Sequence, residues 1–104
     1  MVGLGGIWVE ALGDVRLIPP GLPAAAICHE LRSLKAAKLL DGFRGSPPVD
    51  VAAVAAVVQK IGDLMVARSD IVEIDVNPLM VYAQGKGALA LDALIVTEDA
   101  LNVT

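Results

Sequence analysis

Apolar and polar positions follow two different periods along the chain. Val51, Val54, Ala55, Val58, Ile61 and Met65 recur at intervals of three and four, the spacing of one apolar stripe on a helix. Asp50 stands where an N-cap carboxylate would accept a first-turn amide, and the pattern runs to about Ala67. From Ile71 to Val76 the period drops to two. Glu73, Asp75 and Asn77 fall on one face of this strand, with Val72, Ile74 and Val76 on the other. After Pro78 the strand continues over Leu79–Tyr82, Gln84–Gly87 supplies turn residues, and Ala88–Val96 forms a last strand. Upstream, Ile7–Leu12 and Val15–Ile18 flank a Gly13–Asp14 turn and read as a hairpin that Pro19 and Pro20 end. Pro23 suits the first turn of a helix reaching about Arg32. Ser33 suits the N-cap of a second short helix through Leu40, with Gly42 as its terminator. The order β-β-α-α-α-β-β predicts an α+β fold, an antiparallel sheet with helices packed on one face.

Composition narrows the function classes. The 104 residues are 56% hydrophobic, 3% aromatic and 19% charged, with a net charge of −4. That is one domain's worth of chain, and it shows no internal repeat, low-complexity stretch or linker. So apolar a chain is not disordered. A net negative chain lacks the basic footprint of a nucleic-acid module, and one Phe, one Trp and one Tyr give no base-stacking platform. No apolar run is long enough to span a membrane, and no basic region precedes an apolar one as in a signal peptide. A single cysteine, Cys28, allows no internal disulfide, so a reducing, cytoplasmic setting is expected. The mean hydropathy of +0.68 is high for a small domain that must wet its surface. Part of the apolar content is therefore expected to face another subunit or the rest of a longer chain.

The candidate chemistry lies in Glu73-Ile74-Asp75-Val76-Asn77-Pro78-Leu79 and in Leu91-Asp92-Ala93. A two-residue loop at Gln84–Gly85 pairs Ala83 with Lys86. Counting back along both strands then sets Asn77 opposite Asp92, and opposed residues share a face. An amide oxygen and a carboxylate would converge there, with Asp75 beside them. Hard oxygen ligands in so small a number suit Mg²⁺, which fills its other positions with phosphates and water. An exposed polar sheet face would leave the same pattern. Pro78, which cannot donate, would stop the ladder beside this place and expose backbone.

Several blocks, in order, resemble one family. They are Gly5-Gly6-Ile7-Trp8-Val9-Glu10, Gly13-Asp14-Val15, Leu39-Leu40-Asp41-Gly42-Phe43-Arg44-Gly45-Ser46-Pro47-Pro48-Val49-Asp50, Glu73 to Leu79, and Leu91-Asp92-Ala93. Together they are similar to the ATP-grasp part of ADP-forming (NDP-forming) acyl-CoA synthetases, relatives of acetate–CoA ligase. The succinyl-CoA synthetase β subunit is a more distant relative. The resemblance covers Gly3 to about Val96. It implies a reaction of acid, CoA and ATP to acyl-CoA, ADP and phosphate, through an acyl phosphate and a phosphohistidine. It implies Asn77 and Asp92 as Mg²⁺–nucleotide ligands, Asp75 as an acid next to them, and Glu10 as an acid facing the nucleotide cleft. The cofactors implied are Mg²⁺ and ATP/ADP, with CoA bound elsewhere as substrate.

The family's lysine-bearing strand, adenine-contacting segment, phosphate loop, CoA-binding domain and phosphohistidine domain have no match in this sequence. The stretch between Asp14 and Pro20 is also shorter than the family's common pattern. Residues 1–104 therefore read as a single partial domain, the C-terminal part of the second ATP-grasp subdomain. Alone, the chain is expected not to turn over. Its expected partners are the remainder of the ATP-grasp domain and a CoA-binding domain or subunit, with self-association through exposed apolar surface. The competing reading is a non-catalytic α+β module for dimerisation or docking. His29 matches no phosphohistidine motif and reads as a surface or half-buried helical residue, and Cys28 reads as a small core residue. Gly3-Leu4-Gly5-Gly6 is no dinucleotide fingerprint, because a strand and not a helix follows it. Arg44 suits a subdomain contact, or a carboxylate or phosphate partner.

Overall fold

The computed structural model describes residues 1–4, 13–42 and 45–101. The strand expected over Ile7–Leu12, Glu10 within it, and Arg44 lie outside the described residues. Of the strand expected over Val15–Ile18, Val15 and Arg16 are strand, and they pair antiparallel with Val2–Gly3, a partner the sequence pattern did not single out. These are β2 (Val15–Arg16) and β1 (Val2–Gly3).

Helix α1 spans Ala24–Arg32 and starts directly after Pro23, whose extended ψ of 158° sets the chain into its first turn. The second helix differs from expectation. Ser33 is not its N-cap: it closes α1, with its amide bonded to Glu30 O and its hydroxyl donating to His29 O at 3.0 Å. The chain then makes a turn and enters a 3-10 stretch over Ala37–Asp41. The acceptor that Ser33 was expected to offer comes from elsewhere in the chain. The buried Asp14 carboxylate accepts from the Lys35 amide at 2.6 Å and the Ala36 amide at 3.0 Å. Gly42 ends the stretch at φ 91°, ψ 143°. An L side chain rarely adopts that conformation, and a Cβ there would collide with Ser46 O.

Helix α2 spans Val51–Ala67, with Asp50 as N-cap accepting from the Ala53 amide at 3.1 Å. Its stripe does what the period predicts. Val51, Val54 and Ala55 are buried together with Ile27 and Leu31 of α1 and Leu40 of the 3-10 stretch. Val58 packs against the edge of this cluster. Gly62 lets Pro20 approach, since a Cβ there would stand 3.3 Å from the proline's Cα and Cβ. Among the described residues no helix is long and apolar enough to cross a membrane.

The last third is a long hairpin in two pieces. Strands β3 (Ile71–Val76) and β6 (Ala93–Thr97) pair antiparallel, as do β4 (Leu79–Val81) and β5 (Ala88–Ala90). The single strand expected over Ala88–Val96 is thus divided at Leu91–Asp92. Consecutive residues Asn77 and Pro78 both bond across, through Asn77 N–H to Asp92 O and Leu91 N–H to Pro78 O, each at 3.0 Å. A regular antiparallel ladder bonds every second residue, so its phase changes here, at the cis Asn77–Pro78 bond. Pro78 therefore interrupts the strands but does not leave its carbonyl unpaired. A short helix α3 (Glu98–Leu101), not expected from the sequence pattern, hangs on Asp70 through the Glu98 amide. Helix α2 packs on β3 and β4, and α1 packs on α2. The fold is α+β with antiparallel strands, as expected.

Candidate functional site

The hairpin brings two of the predicted residues together. Its turn is the two-residue loop expected from Gln84–Gly85, closed by Lys86 N–H donating to Ala83 O at 2.8 Å. From there one register holds through Met80↔Leu89, Leu79↔Ala90, Val76↔Ala93 and Asp75↔Leu94. That register sets Asn77 opposite Asp92, and the Asn77 amide donates to the Asp92 carbonyl. Opposed residues on antiparallel strands hold Cβ atoms about 4.5–5.5 Å apart, and diagonal neighbours about 7–8 Å. Asp75 is the diagonal neighbour of Asp92.

Glu73, Asp75, Asn77 and Asp92 are all exposed. Asp92 Oδ1 accepts from the following Ala93 amide at 2.9 Å, which turns the carboxylate along its own strand. Among the described residues no other side chain binds Asp75, Asn77 or the second Asp92 oxygen. Asp75, Asn77 and Pro78 line a groove of about 980 Å³ between the N-terminal strands, the apolar stripe of α2 and the inner residues Ile74 and Val76. Asp92 is outside that lining. The donors available are one amide oxygen and two carboxylates, hard oxygens of the kind Mg²⁺ takes when phosphates and water complete its shell. Among the described residues no three His, Cys, Asp or Glu side chains gather as a metal cluster. His29 is exposed on α1, and Cys28 is half-buried against the core.

Two carboxylates with a structural role were missed in the sequence. Asp14 looked like a turn residue and is instead the buried acceptor for Lys35 and Ala36. Asp50 looked like a cap alone, yet its Oδ2 also accepts from the Gly85 and Gly87 amides at 3.2 and 2.9 Å. The Gly87 and Ala53 amides, and less strongly Gly85, hold the Asp50 carboxyl below the usual carboxylate range. For Asp14, the signal was an acid just after a glycine in a chain poor in polar residues. For Asp50, it was the placing of Gly85 and Gly87 at the far turn.

Comparison with known proteins bears on this arrangement. A profile of the ATP-grasp domain matches residues 1–97. A trans-feruloyl-CoA synthase from an unknown prokaryotic organism is 44% identical over 98 residues, covering 94% of this chain and 14% of that protein. The β subunit of an ADP-forming acetate–CoA ligase from Pyrococcus furiosus is 38% identical over 96 residues, covering 92% of this chain and 40% of the subunit. The dinucleotide-forming acetyl-coenzyme A synthetase 1 of Ca. Korarchaeum cryptofilum has been solved with coenzyme A and Mg-AMPPCP. It superposes with a TM-score of 0.79 at 37% identity, covering 91% of this chain and 44% of that one. The chain thus spans less than half the length of each of these relatives.

Proposed function

Because the chain belongs to the ATP-grasp family, we propose that it supplies part of the Mg²⁺–nucleotide site of an ADP-forming acyl-CoA ligase. The reaction is acid, CoA and ATP to acyl-CoA, ADP and phosphate. The observation that carries the reading is the hairpin register, which sets Asn77 opposite Asp92 with Asp75 on the diagonal. Asn77 Oδ1 and Asp92 Oδ2 would hold the ion, and Asp75, lining the groove beside Asn77, would orient the ion's water or a phosphate oxygen. Bound Mg²⁺ neutralises charge on the phosphates during phosphoryl transfer. Glu10 is proposed as a further acid at the nucleotide cleft. The rest of the grip on ATP, and the CoA and acid sites, belong to the remainder of the ATP-grasp domain and to a CoA-binding domain or subunit, in the cytoplasm. Relatives named for acids as different as ferulate and acetate share this region. That supports a role in the common nucleotide chemistry and not in choosing the acid.

The test is Mg-ATP binding by calorimetry. The 104-residue chain alone is expected to bind weakly or not at all, and adding the remaining ligase domains should restore binding. Asn77→Ala or Asp92→Ala should then abolish it. Unchanged activity of both variants in the assembled ligase sinks the reading. The rival is a docking module without catalysis, favoured by the exposed Leu89, Leu91, Leu94 and Ile95 of the hairpin. It predicts no nucleotide binding in any assembly.

A further inference from the structure

The Asp50 carboxylate is bonded to two separate parts of the molecule. One oxygen accepts from Ala53 in the first turn of α2 at 3.1 Å. The other accepts from Gly85 and Gly87 in the turn at the far end of the β4–β5 hairpin. The surrounding backbone reinforces the contact. Asp50 N–H donates to Tyr82 O and Gln84 N–H donates to Pro48 O, both at 2.9 Å, and Val49 forms an antiparallel bridge with Ala83. Gly85 and Gly87 sit at φ 83° and 84°, a region open to glycine, and both amides turn toward the same oxygen.

A hairpin's register is set by its turn, and a slip of one residue on one strand moves every side chain of that strand to the other face. Here such a slip would separate Asn77 from Asp92. The Gly87 amide is what the Tyr82–Gly87 pair leaves unused, since Tyr82 N–H already donates to Gly87 O. A carboxylate that takes Gly85 and Gly87 together fits one turn alignment and no slipped one. We propose that Asp50 is a positioning residue. By binding the Gly85 and Gly87 amides it fixes the hairpin register from the turn as far as Glu73, and so keeps Asn77 opposite Asp92 roughly 17 Å away along the strands. Its low carboxyl pKa agrees with a carboxylate held by several amides. The consequence for a metal ion rests on the function proposed above, whereas the consequence for register does not.

Asp50→Asn separates clamp from cap. Asparagine caps helices as well as aspartate does, but its side chain offers one acceptor oxygen in place of two. Amide exchange by NMR on the labelled chain is the first measurement. The expected result is exchange about tenfold faster or more at Gly85 and Gly87, the scale of losing hydrogen bonds to a charged group. The Asn77 amide should follow, while Ala55 and Leu31 in the core stay protected. Faster exchange at the two glycines with an unchanged Asn77 amide and unchanged Asn77–Asp92 cross-strand NOEs overturns the proposal, and so does no change at either glycine. Should Asp50→Asn unfold the chain, Asp50→Ser keeps a capping oxygen for the Ala53 amide but is too short and has too few acceptors to hold the Gly85 and Gly87 amides as well, and the same Asn77 readout decides. The second measurement adds Mn²⁺ with a non-hydrolysable ATP analogue to the assembled ligase. Broadening at Asn77 and Asp92 in the parent that weakens in Asp50→Asn supports both claims. No broadening in the parent sinks the metal reading and leaves the register result to stand or fall on exchange.

Discussion

Asp14 and Asp50 each tie distant parts of this small molecule together, and both do so through backbone amides and not through cations. Asp14 is the clearest case. It is buried, and it takes two amides from a segment more than twenty positions away in sequence. Removing it leaves both donors short of a partner, so Asp14→Ala should lower stability by about 2 kcal/mol, read from the urea midpoint. Asp14→Asn, which keeps one acceptor oxygen, should lose less. Asp50 and Asp70 carry the acid sensitivity. Asp50 is held low by Gly87, Ala53 and Gly85, and Asp70 is held low by its forked bond to Arg68 at 2.8 and 2.7 Å. For a carboxyl whose folded pKa lies below its unfolded value of about 3.9, the stabilisation is present above that value. It is lost as pH falls through the folded pKa. Urea midpoints should therefore drop as pH is taken from 5 to 3, and Asp50→Asn should flatten part of the drop. Added salt should weaken the Arg68–Asp70 share, because that pair is exposed. The long-range partnerships of Asp14 and Asp50 were not legible in the sequence. Ser33 shows why: its local spacing fitted an N-cap, but a distant carboxylate took the amides first, and local pattern carries no information on that competition.

At the scale of elements, what periodicity dictates alone came through well. The α2 stripe and its Asp50 cap, the alternation of β3 from Glu73 to Val76 and the two-residue turn at Gln84–Gly85 are all set by neighbours within a few positions, whereas Val72, expected on the apolar face, is 46% exposed where the register shifts between Ile71 and Glu73. The turn then fixed the pairing of Asn77 with Asp92 by counting along the two strands. Two of the departures from expectation have a clear physical reason. The stretch after Ser33 takes 3-10 geometry over Ala37–Asp41 because Asp14 holds the Lys35 and Ala36 amides, while Gly42 terminates it as expected. The last strand divides because its partner changes hydrogen-bonding phase at Asn77–Pro78. Gly42 makes the first of these testable. Its backbone lies where side chains are strained, and the space a Cβ needs is filled by Ser46 O. Gly42→Ala should cost about 1–3 kcal/mol, measured by thermal unfolding. Gly45→Ala, with nothing among the described residues within 4 Å of its Cβ position, should cost less despite its own positive φ. Equal losses at the two positions would show that backbone conformation and not the Ser46 contact sets the penalty.

The whole molecule exposes more surface than its mass requires. Its accessible area is 7296 Å², against about 5500 Å² for a compact monomer of this size. Its radius of gyration is 14.7 Å, against about 13 Å. The excess is apolar in places, as the hydropathy of the sequence implied. Leu94 and Ile95 are 55% and 53% exposed, yet they sit on opposite faces of the hairpin. Ile95 pairs with Ile74 and so shares a face with the apolar side chains Ile74 and Val76. Leu94 pairs with Asp75 and has Asp92 two positions before it on the same strand face. A contiguous apolar area attracts a partner, whereas an isolated apolar side chain among charges does not. Ile95→Ser should therefore reduce dye binding and self-association of the chain in sedimentation far more than Leu94→Ser. Neither should move the unfolding midpoint much, since both side chains are already half in water. A partner surface on the acidic face would reverse the order of the two variants. It would also place protein where the Asn77–Asp92 reading requires a nucleotide, so this comparison tests the proposed division of the hairpin into a covered face and a ligand face.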